Sequence, residues 1–287
     1  MVDTDSNISK QSHDLSELET EMILRGMSGS TKLAYCKFNS EFLSFVGKDA
    51  SQVDRSDMKK FLATKIGAGV APRSVNLIRS ALLFHYNEVL NKGIANIKVP
   101  KIARSLPIYL TKPEMASLIN SAGSRKSRLI IKLLCSAGLR VSELCKLRIE
   151  EIDFKSGKGY VRLGKGGKDR LFFMGKALAY ELAEYVDHQQ SGWLFSNSKG
   201  DTLTERNIQK LVKGAASRAG IQKQVTPHKL RHSFATHLHD GGTSIRVIQE
   251  LLGHSNLATT EIYTHVSSKK LDEVVNPLDE LEEKNNN

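Results

Sequence analysis

Thr226-Pro-His-Lys-Leu-Arg-His-Ser-Phe-Ala-Thr-His237 is a stretch that predicts a helix with functional side chains on its first turns. Thr226 suits the N-cap and Pro227 suits the first helical position. His228 and Arg231, three residues apart, fall on one face near the helix N-terminus. Free amides and a partial positive charge at such an end favour a bound phosphate. The stretch predicts either a phosphate site or a helix with scattered polar residues and a hydrogen-bonded core histidine.

Two segments earlier in the chain carry further cations. In Ala137-Gly-Leu-Arg-Val-Ser-Glu-Leu144, Arg140 follows the break that Gly138 makes after an apolar helix, so its side chain can point into a cleft. In Gly164-Lys-Gly-Gly-Lys-Asp-Arg170, Lys165 lies among glycines between two β-prone segments, where ordinary surface turn lysines also occur. Because a planar guanidinium binds two phosphate oxygens at once, these segments fit the same kind of site.

A fourth segment, Leu252-Gly-His-Ser-Asn-Leu-Ala-Thr-Thr-Glu-Ile-Tyr263, adds a histidine and a tyrosine. His254 precedes Ser255, which can cap a helix that carries Tyr263. Cations of this kind would neutralise a phosphoryl transition state, and a lysine can protonate the leaving oxygen. The tyrosine oxygen can act as the nucleophile. The four segments together predict a phosphodiester site that needs no metal and no cofactor.

The rest of the chain predicts a mainly α fold with a small antiparallel β-sheet. Apolar residues at helical spacing predict helices over 15–24 and Ser30–Val46, with Ser30 or Thr31 as the cap of the second. The apolar stripe predicted for the second helix consists of Leu33, Tyr35, Phe38, Phe42 and Phe45. Further helices are predicted from Ser56 and from Pro72. Three short β-prone segments predict the sheet: Glu151–Phe154, Gly159–Leu163 and Arg170–Phe173.

The domain boundaries follow from where composition and periodicity change. Residues 1–13 are polar and predict a disordered leader, 14–95 a helical domain, and 96–107 a basic linker that contains Pro100 and Pro107. A second, α+β domain is predicted over 108–267. It opens with a capping box of Thr111 and Glu114. Residues 268–287 form an acidic tail with an apolar stripe.

Composition narrows the class of protein. The 287 residues are 40% hydrophobic and 25% charged, which is typical of a soluble globular protein. No signal peptide and no transmembrane run is found, so we expect a cytoplasmic protein without a membrane partner. A net charge of +11 favours a polyanionic partner such as nucleic acid. The three cysteines stand at no metal-ligand spacing, so no metal is expected.

These motifs closely resemble those of the tyrosine recombinase family, specifically its Xer-type members. The resemblance covers nearly the whole chain from about Leu15 and is strongest from Leu139 to Tyr263. It implies six catalytic residues, with Glu143 as an acidic residue that supports the site from behind and Tyr263 as the nucleophile. The six are Arg140, Lys165, His228, Arg231, His254 and Tyr263.

The resemblance also implies a mechanism and partners. Tyr263 would form a 3′-phosphotyrosyl link to DNA, and strand exchange would pass through a Holliday junction without metal or ATP. A SAM-like core-binding domain over 14–95 and the catalytic domain would form a C-shaped clamp on a double-stranded recombination site. The family acts as a homotetramer on DNA, with an accessory activator possible. The tail helix would dock on a neighbouring subunit, although it could instead fold back onto its own domain.

Four alternatives remain open at the level of the sequence. One is a zinc site formed by His228, His232, His237 and His239, two of which have the helical i, i+4 spacing. A second is a basic DNA-binding protein without catalysis, and a third is a type IB topoisomerase. The fourth is the integrase of a mobile element. Because fewer than twenty residues precede the helical bundle, we favour a Xer-type protein that resolves chromosome dimers and so serves chromosome partition in the cell cycle.

Overall fold

The computed structural model describes residues 15–101, 109–162 and 169–253. The chain divides into two compact units, Met1–Ser105 and Leu106–Asn287. Each unit has its own hydrophobic core.

The first unit is helical. Helix α1 covers 15–24, and α2 (Gly29–Val46), α3 (Arg55–Gly67) and α4 (Pro72–Leu83) follow. Pro72 stands in the first turn of α4, as predicted, and a π-helical segment, Phe84–Val89, continues from α4. Leu18 and Met22 of α1 are fully buried. The later elements form one buried cluster: Phe42, Leu43, Met58, Phe61, Leu62, Val75, Ile78, Leu82 and Tyr86.

Helix α2 differs from its prediction in both cap and buried face. The cap is Ser28, whose hydroxyl accepts a hydrogen bond from the Thr31 amide, so neither Ser30 nor Thr31 caps the helix. Leu33 is 75% exposed and Phe45 is 46% exposed, whereas Phe42 is fully buried. The apolar spacing was compatible with more than one face, and packing against α3 and α4 decides which one is buried.

The second unit combines seven helices with a small sheet in the described residues. The helices are α5 (Lys112–Asn120), α6 (Arg125–Ala137), α7 (Val141–Cys145), α8 (Lys176–Val186), α9 (Glu205–Arg218), α10 (Pro227–Asp240) and α11 (Ile245–Leu252). The strands β1 (Ile152–Asp153), β2 (Lys158–Val161) and β3 (Arg170–Phe173) form an antiparallel sheet in chain order. Val161 pairs with Arg170 in its register. The predicted mainly α fold with a small antiparallel sheet is confirmed.

Helix α6 lies at the centre of the second unit. Every residue from 129 to 137 is buried, because α5, α8, α9 and α10 all pack around this helix. Even Lys132 is only 9% exposed, and its ammonium forms an ion pair 2.5 Å from Glu181. A helix enclosed in this way gives a rigid base for the residues that follow it.

Two side chains of helix α10 bind the backbone near the start of the second unit. The Ser233 hydroxyl accepts a hydrogen bond from the Leu110 amide at 2.9 Å, and His237 Nε2 lies 2.8 Å from the Leu110 carbonyl. The capping box of Thr111 and Glu114 is formed as predicted. None of the helices in the described residues is long and apolar enough to cross a membrane.

Candidate active site

The site begins at the turn between α6 and α7. Gly138 ends α6 in the left-handed conformation at φ 57°. A Cβ placed there would stand 2.4 Å from Phe234 Cδ1 and 3.0 Å from Leu252 Cδ2. Glycine is therefore required at position 138 for two reasons: the backbone conformation, and the close approach of α10 and α11. The turn directs the next residues, Leu139 and Arg140, away from the helix axis.

Gly138→Ala is expected to destabilise the second unit. The left-handed conformation costs an alanine about 1–2 kcal/mol, and forcing a methyl group against Phe234 costs roughly 1–3 kcal/mol more. Urea unfolding measures the sum. Gly220→Ala is the matched control, because Gly220 has φ +66° but no atom within 4 Å of its Cβ position. Equal losses in the two variants would show that the packing around Gly138 is unimportant.

Arg140 and Glu143 are joined through the first turn of α7. Glu143 Oε2 accepts from the Arg140 amide at 2.8 Å, and Glu143 Oε1 accepts from Arg140 Nη1 at 2.6 Å. Arg140 Nη2 donates to the Gly253 carbonyl at 3.0 Å. The Arg140 side chain stays 25% exposed, whereas that of Glu143 is 5% exposed. Glu143 thus supports the guanidinium from the buried side, and the exposed edge of Arg140 remains open to an anion.

Arg231 enters the same place from α10. Thr226 caps this helix and Pro227 occupies its first turn, as predicted. Arg231 is 5% exposed, and its Nη1 donates to the Gly138 carbonyl at 2.5 Å. Its Nη2 donates to the Leu252 carbonyl, and Nη1 lies 4.0 Å from Glu143 Oε2. Arg231 therefore connects the C-terminal ends of α6 and α11, where helix dipoles favour a cation.

A third arginine completes the group. Arg170, the first residue of β3, donates from Nη2 to Glu143 Oε2 and from Nη1 to the Leu251 carbonyl, each at 2.5 Å. Three consecutive carbonyls at the end of α11 therefore accept hydrogen bonds from three different arginines. We call Arg140, Arg170 and Arg231 the arginine cluster. Glu143 is the one carboxylate that pairs with it in the described part of the chain.

The electrostatics of the arginine cluster are unbalanced. Burial alone would raise the pKa of Glu143, but Arg170 and Arg140 hold it below its usual value. Burial, together with the charges of Arg140 and Arg170, lowers the pKa of Arg231 to about 9. Three guanidinium groups around one carboxylate leave an excess of positive charge. Such a site favours an anionic ligand, because the anion relieves the repulsion between the arginines.

His228 lies at the rim of this region. It follows Pro227 in the first turn of α10 and is exposed, whereas Arg231 is buried one turn later. His228 lines a cavity of about 730 Å³ together with Val141 of α7. Lys213 of α9 also lines this cavity, which places a positive charge beside His228. Its position next to the arginine cluster suits contact with an extended polyanion.

Of the six predicted site residues, the structure brings Arg140 and Arg231 together around Glu143 and the end of α11, and His228 lies one turn before Arg231 on α10. The other three, Lys165, His254 and Tyr263, lie outside the described residues. Glu143 occupies the supporting position that the resemblance implies. Because Gly253 accepts a hydrogen bond from Arg140, the peptide that precedes His254 belongs to the same site.

The histidines of the zinc alternative are not grouped. His237 is buried and makes its hydrogen bond with the Leu110 carbonyl, while His228 and His239 are exposed. Across 15–101, 109–162 and 169–253, no three His, Cys, Asp or Glu side chains lie close enough together to hold a metal ion. This part of the chain therefore gives no support to a zinc site.

No role was predicted for Arg170 from the sequence. A signal was available, because alternate residues of a strand share a face and Phe172 is a large apolar side chain. Phe172 is 1% exposed and the Arg170 side chain 7% exposed, so both point inward. The three carbonyl acceptors gave no signal, because residue types do not show where backbone oxygens point.

Comparison with known proteins identifies the family of the chain. Residues 109–270 match the phage integrase family, and residues 15–96 match the N-terminal SAM-like domain of phage integrases. Tyrosine recombinase XerA of Pyrococcus horikoshii is 40% identical over 267 residues, which cover 91% of this chain and 92% of that protein. Tyrosine recombinase XerD of Listeria innocua is 33% identical over 279 residues, covering 88% and 93%.

A solved structure gives the same result. The XerH site-specific recombinase bound to a palindromic difH substrate, in a post-cleavage complex, superposes with a TM-score of 0.65 at 26% identity. The match covers 84% of this chain and 77% of that one. The family match spans more than half of the chain, and the relatives align with nearly all of it. The chain therefore belongs to the phage integrase family and is a tyrosine recombinase, an enzyme that cuts and rejoins DNA strands at specific sites.

Proposed function

We propose that Arg140 and Arg231 of the arginine cluster bind the scissile phosphate and that Tyr263 attacks it. One observation supports this proposal. Glu143 and the carbonyls at the end of α11 hold both Arg140 and Arg231, and one edge of Arg140 stays exposed. Their charges would stabilise the negative charge that develops on the phosphoryl oxygens. In this proposal His254, next to Gly253, donates a hydrogen bond to the same phosphate.

Cleavage in this proposal transfers the phosphoryl group from the 5′-oxygen of the DNA to Tyr263. The phenol of Tyr263 gives its proton to the neutral imidazole of His228, and its oxygen forms a bond to phosphorus. The bond from phosphorus to the 5′-oxygen breaks, and Lys165 protonates that leaving oxygen. The product is a 3′-phosphotyrosyl link and a free 5′-hydroxyl. Because the link conserves the energy of the phosphodiester bond, rejoining requires neither ATP nor a metal.

We further propose the biological role of a Xer-type recombinase. Four protomers would bind two DNA sites and exchange strands through a Holliday junction, so that chromosome dimers are resolved in the cytoplasm. The names of the relatives, XerA and XerD, support this role over integration of a mobile element. In this proposal residues 14–95 bind the core site, 108–267 catalyse, and the tail, 268–287, docks on a neighbouring protomer.

The test uses a DNA duplex nicked close to the scissile phosphate, so that the cleaved fragment diffuses away. We expect the protein to form a covalent adduct that resists denaturing electrophoresis and disappears on protease treatment, in excess chelator and without nucleotide. The control is a site without the nick. There the cleaved strand stays in place and can be rejoined, so little adduct should accumulate. Cleavage that requires a divalent metal, or that leaves no DNA attached to protein, would contradict the proposal.

A further inference from the structure

Arg170 is held more firmly than a surface strand residue needs to be. It opens β3, the strand that follows the Gly164–Lys168 segment in the chain, and its side chain is 7% exposed. Two of its nitrogen atoms make hydrogen bonds of 2.5 Å, one to Glu143 Oε2 and one to the Leu251 carbonyl. Glu143 belongs to α7, which begins directly after Arg140, and Leu251 belongs to α11, which ends shortly before His254.

The carboxylate of Glu143 links Arg170 to Arg140. Arg170 holds one oxygen of Glu143, while the other accepts from Arg140 Nη1 at 2.6 Å. Arg170 and Arg140 also bind carbonyls two residues apart, Leu251 and Gly253. A guanidinium can make both of its contacts because its donors form a rigid planar fork. A lysine ammonium has no such fork and cannot reproduce the pair.

Stability alone does not explain an arginine at this position. Arg140 already pairs with Glu143, so a second buried guanidinium on that carboxylate adds a desolvation cost and repulsion from its neighbours. Burial lowers the pKa of Arg170, Glu143 opposes this, and the charge of Arg140 lowers it further. Arrangements that conflict with local stability concentrate at functional sites.

We infer that Arg170 is a positioning residue, which fixes the Arg140 guanidinium against the scissile phosphate by holding Glu143 and the end of α11 in one geometry. The inference rests on the proposed function of Arg140. Arg170 itself does not touch the DNA in this account. Its loss should change the rate of the chemical step and leave DNA affinity nearly unchanged.

The test compares two nicked DNA substrates. One has the natural scissile phosphate, and the other has a methylphosphonate, in which a methyl group replaces one non-bridging oxygen and removes the negative charge. An arginine that neutralises this charge matters less when the charge is absent. Arg140→Ala is the reference variant. It should form adduct slowly on the phosphate substrate, and the loss of rate should be much smaller on the methylphosphonate substrate. Both stereoisomers of the methylphosphonate are tested.

Two variants examine Arg170 itself. Arg170→Lys keeps the charge without the fork, and Arg170→Met keeps the length without the charge. The control is Arg125→Lys. Arg125 is the first residue of α6, at the end of the helix away from the site, and it pairs with Glu184 at 3.4 Å on the surface. Circular dichroism first sets a temperature at which each protein is fully folded, and a gel-shift titration gives the affinity for DNA.

We expect both Arg170 variants to form adduct about 100-fold more slowly on phosphate, the size of effect that a misplaced catalytic group produces. On methylphosphonate the loss should shrink to below about tenfold, in parallel with Arg140→Ala, while affinity changes little. An equal loss on both substrates, a loss that follows DNA affinity, or no loss would overturn the inference. If Arg140→Ala loses as much rate on methylphosphonate as on phosphate, the proposed role of Arg140 is refuted, and with it the basis of the inference.

Discussion

A Tyr263→Phe variant is expected to form no detectable covalent adduct with nicked DNA, although it binds the site as tightly as the wild type. Phenylalanine keeps the ring and removes only the hydroxyl oxygen, which is the atom that would bond to phosphorus. Arg140 and Arg231 would still hold the phosphate, because Glu143 and backbone carbonyls keep both guanidinium groups in place. Denaturing electrophoresis measures the adduct, and a gel shift under native conditions measures binding.

Other tyrosines provide matched controls for this result. Tyr160 and Tyr180 are 57% and 67% exposed in the second unit, so both are surface tyrosines of the same unit. Tyr160→Phe and Tyr180→Phe should both give adduct at the wild-type rate. An adduct that persists in Tyr263→Phe would assign the nucleophile to another residue. It would leave membership of the family untouched, since that depends on the whole chain.

Glu143→Gln is expected to lower the free energy of unfolding by about 3–5 kcal/mol, the usual cost of removing one partner from a buried ion pair. The substitution keeps the size of the side chain but removes the charge that faces Arg140 and Arg170. The amide also places an NH₂ group where one carboxylate oxygen accepted hydrogen bonds. Urea unfolding at neutral pH measures the loss.

The control for this variant is Glu184→Gln. Glu184 is 52% exposed and pairs with Arg125 on the surface, so its loss should cost about 1 kcal/mol or less. If both variants lose the same small amount, the carboxylate of Glu143 is not needed to hold the arginine cluster. In that case, the contacts of the arginines with backbone carbonyls would suffice.

The effect of Glu143→Gln should depend on pH in a defined direction. The pKa of Glu143 is lower in the folded protein than its ordinary value of 4.5, because its arginine partners outweigh the effect of burial. A lowered pKa contributes stability above the unfolded pKa, and that stability is lost as the pH falls through the folded value. The gap between wild type and Glu143→Gln should therefore narrow from pH 7 towards pH 3. A constant gap would show that ionisation of Glu143 is not linked to folding.

Much of the site could be predicted because its chemistry is carried by side chains with local signals. Thr226 and Pro227 mark the start of α10 in the sequence, which places Arg231 one turn into a helix. Gly138 marks the end of α6 in the same way, which places Arg140 just beyond it. The small sheet was also predictable, since glycines separate its β-prone segments.

The rest could not be predicted because it depends on tertiary packing. The buried face of α2 was misjudged at Leu33 and Phe45, where apolar residues occur on more than one side of the helix. Arg170 looked like the polar end of a hairpin strand, and its inward direction depends on how β3 packs against α6 and α11. The carbonyl partners of the arginines depend on where two distant helices end relative to each other, which no local pattern encodes.

The row of three carbonyls at the end of α11 also bears on how this protein can change during evolution. Leu251, Leu252 and Gly253 each offer a backbone oxygen to one arginine, so the side chains at 251 and 252 are constrained only by the core. A single-residue deletion within α11 is different, because it would turn the helix end by about 100° and shift it by about 1.5 Å. Every arginine would then face the wrong oxygen. The length of α11 should consequently be conserved more strictly than its composition, and insertions or deletions there should be rarer than substitutions.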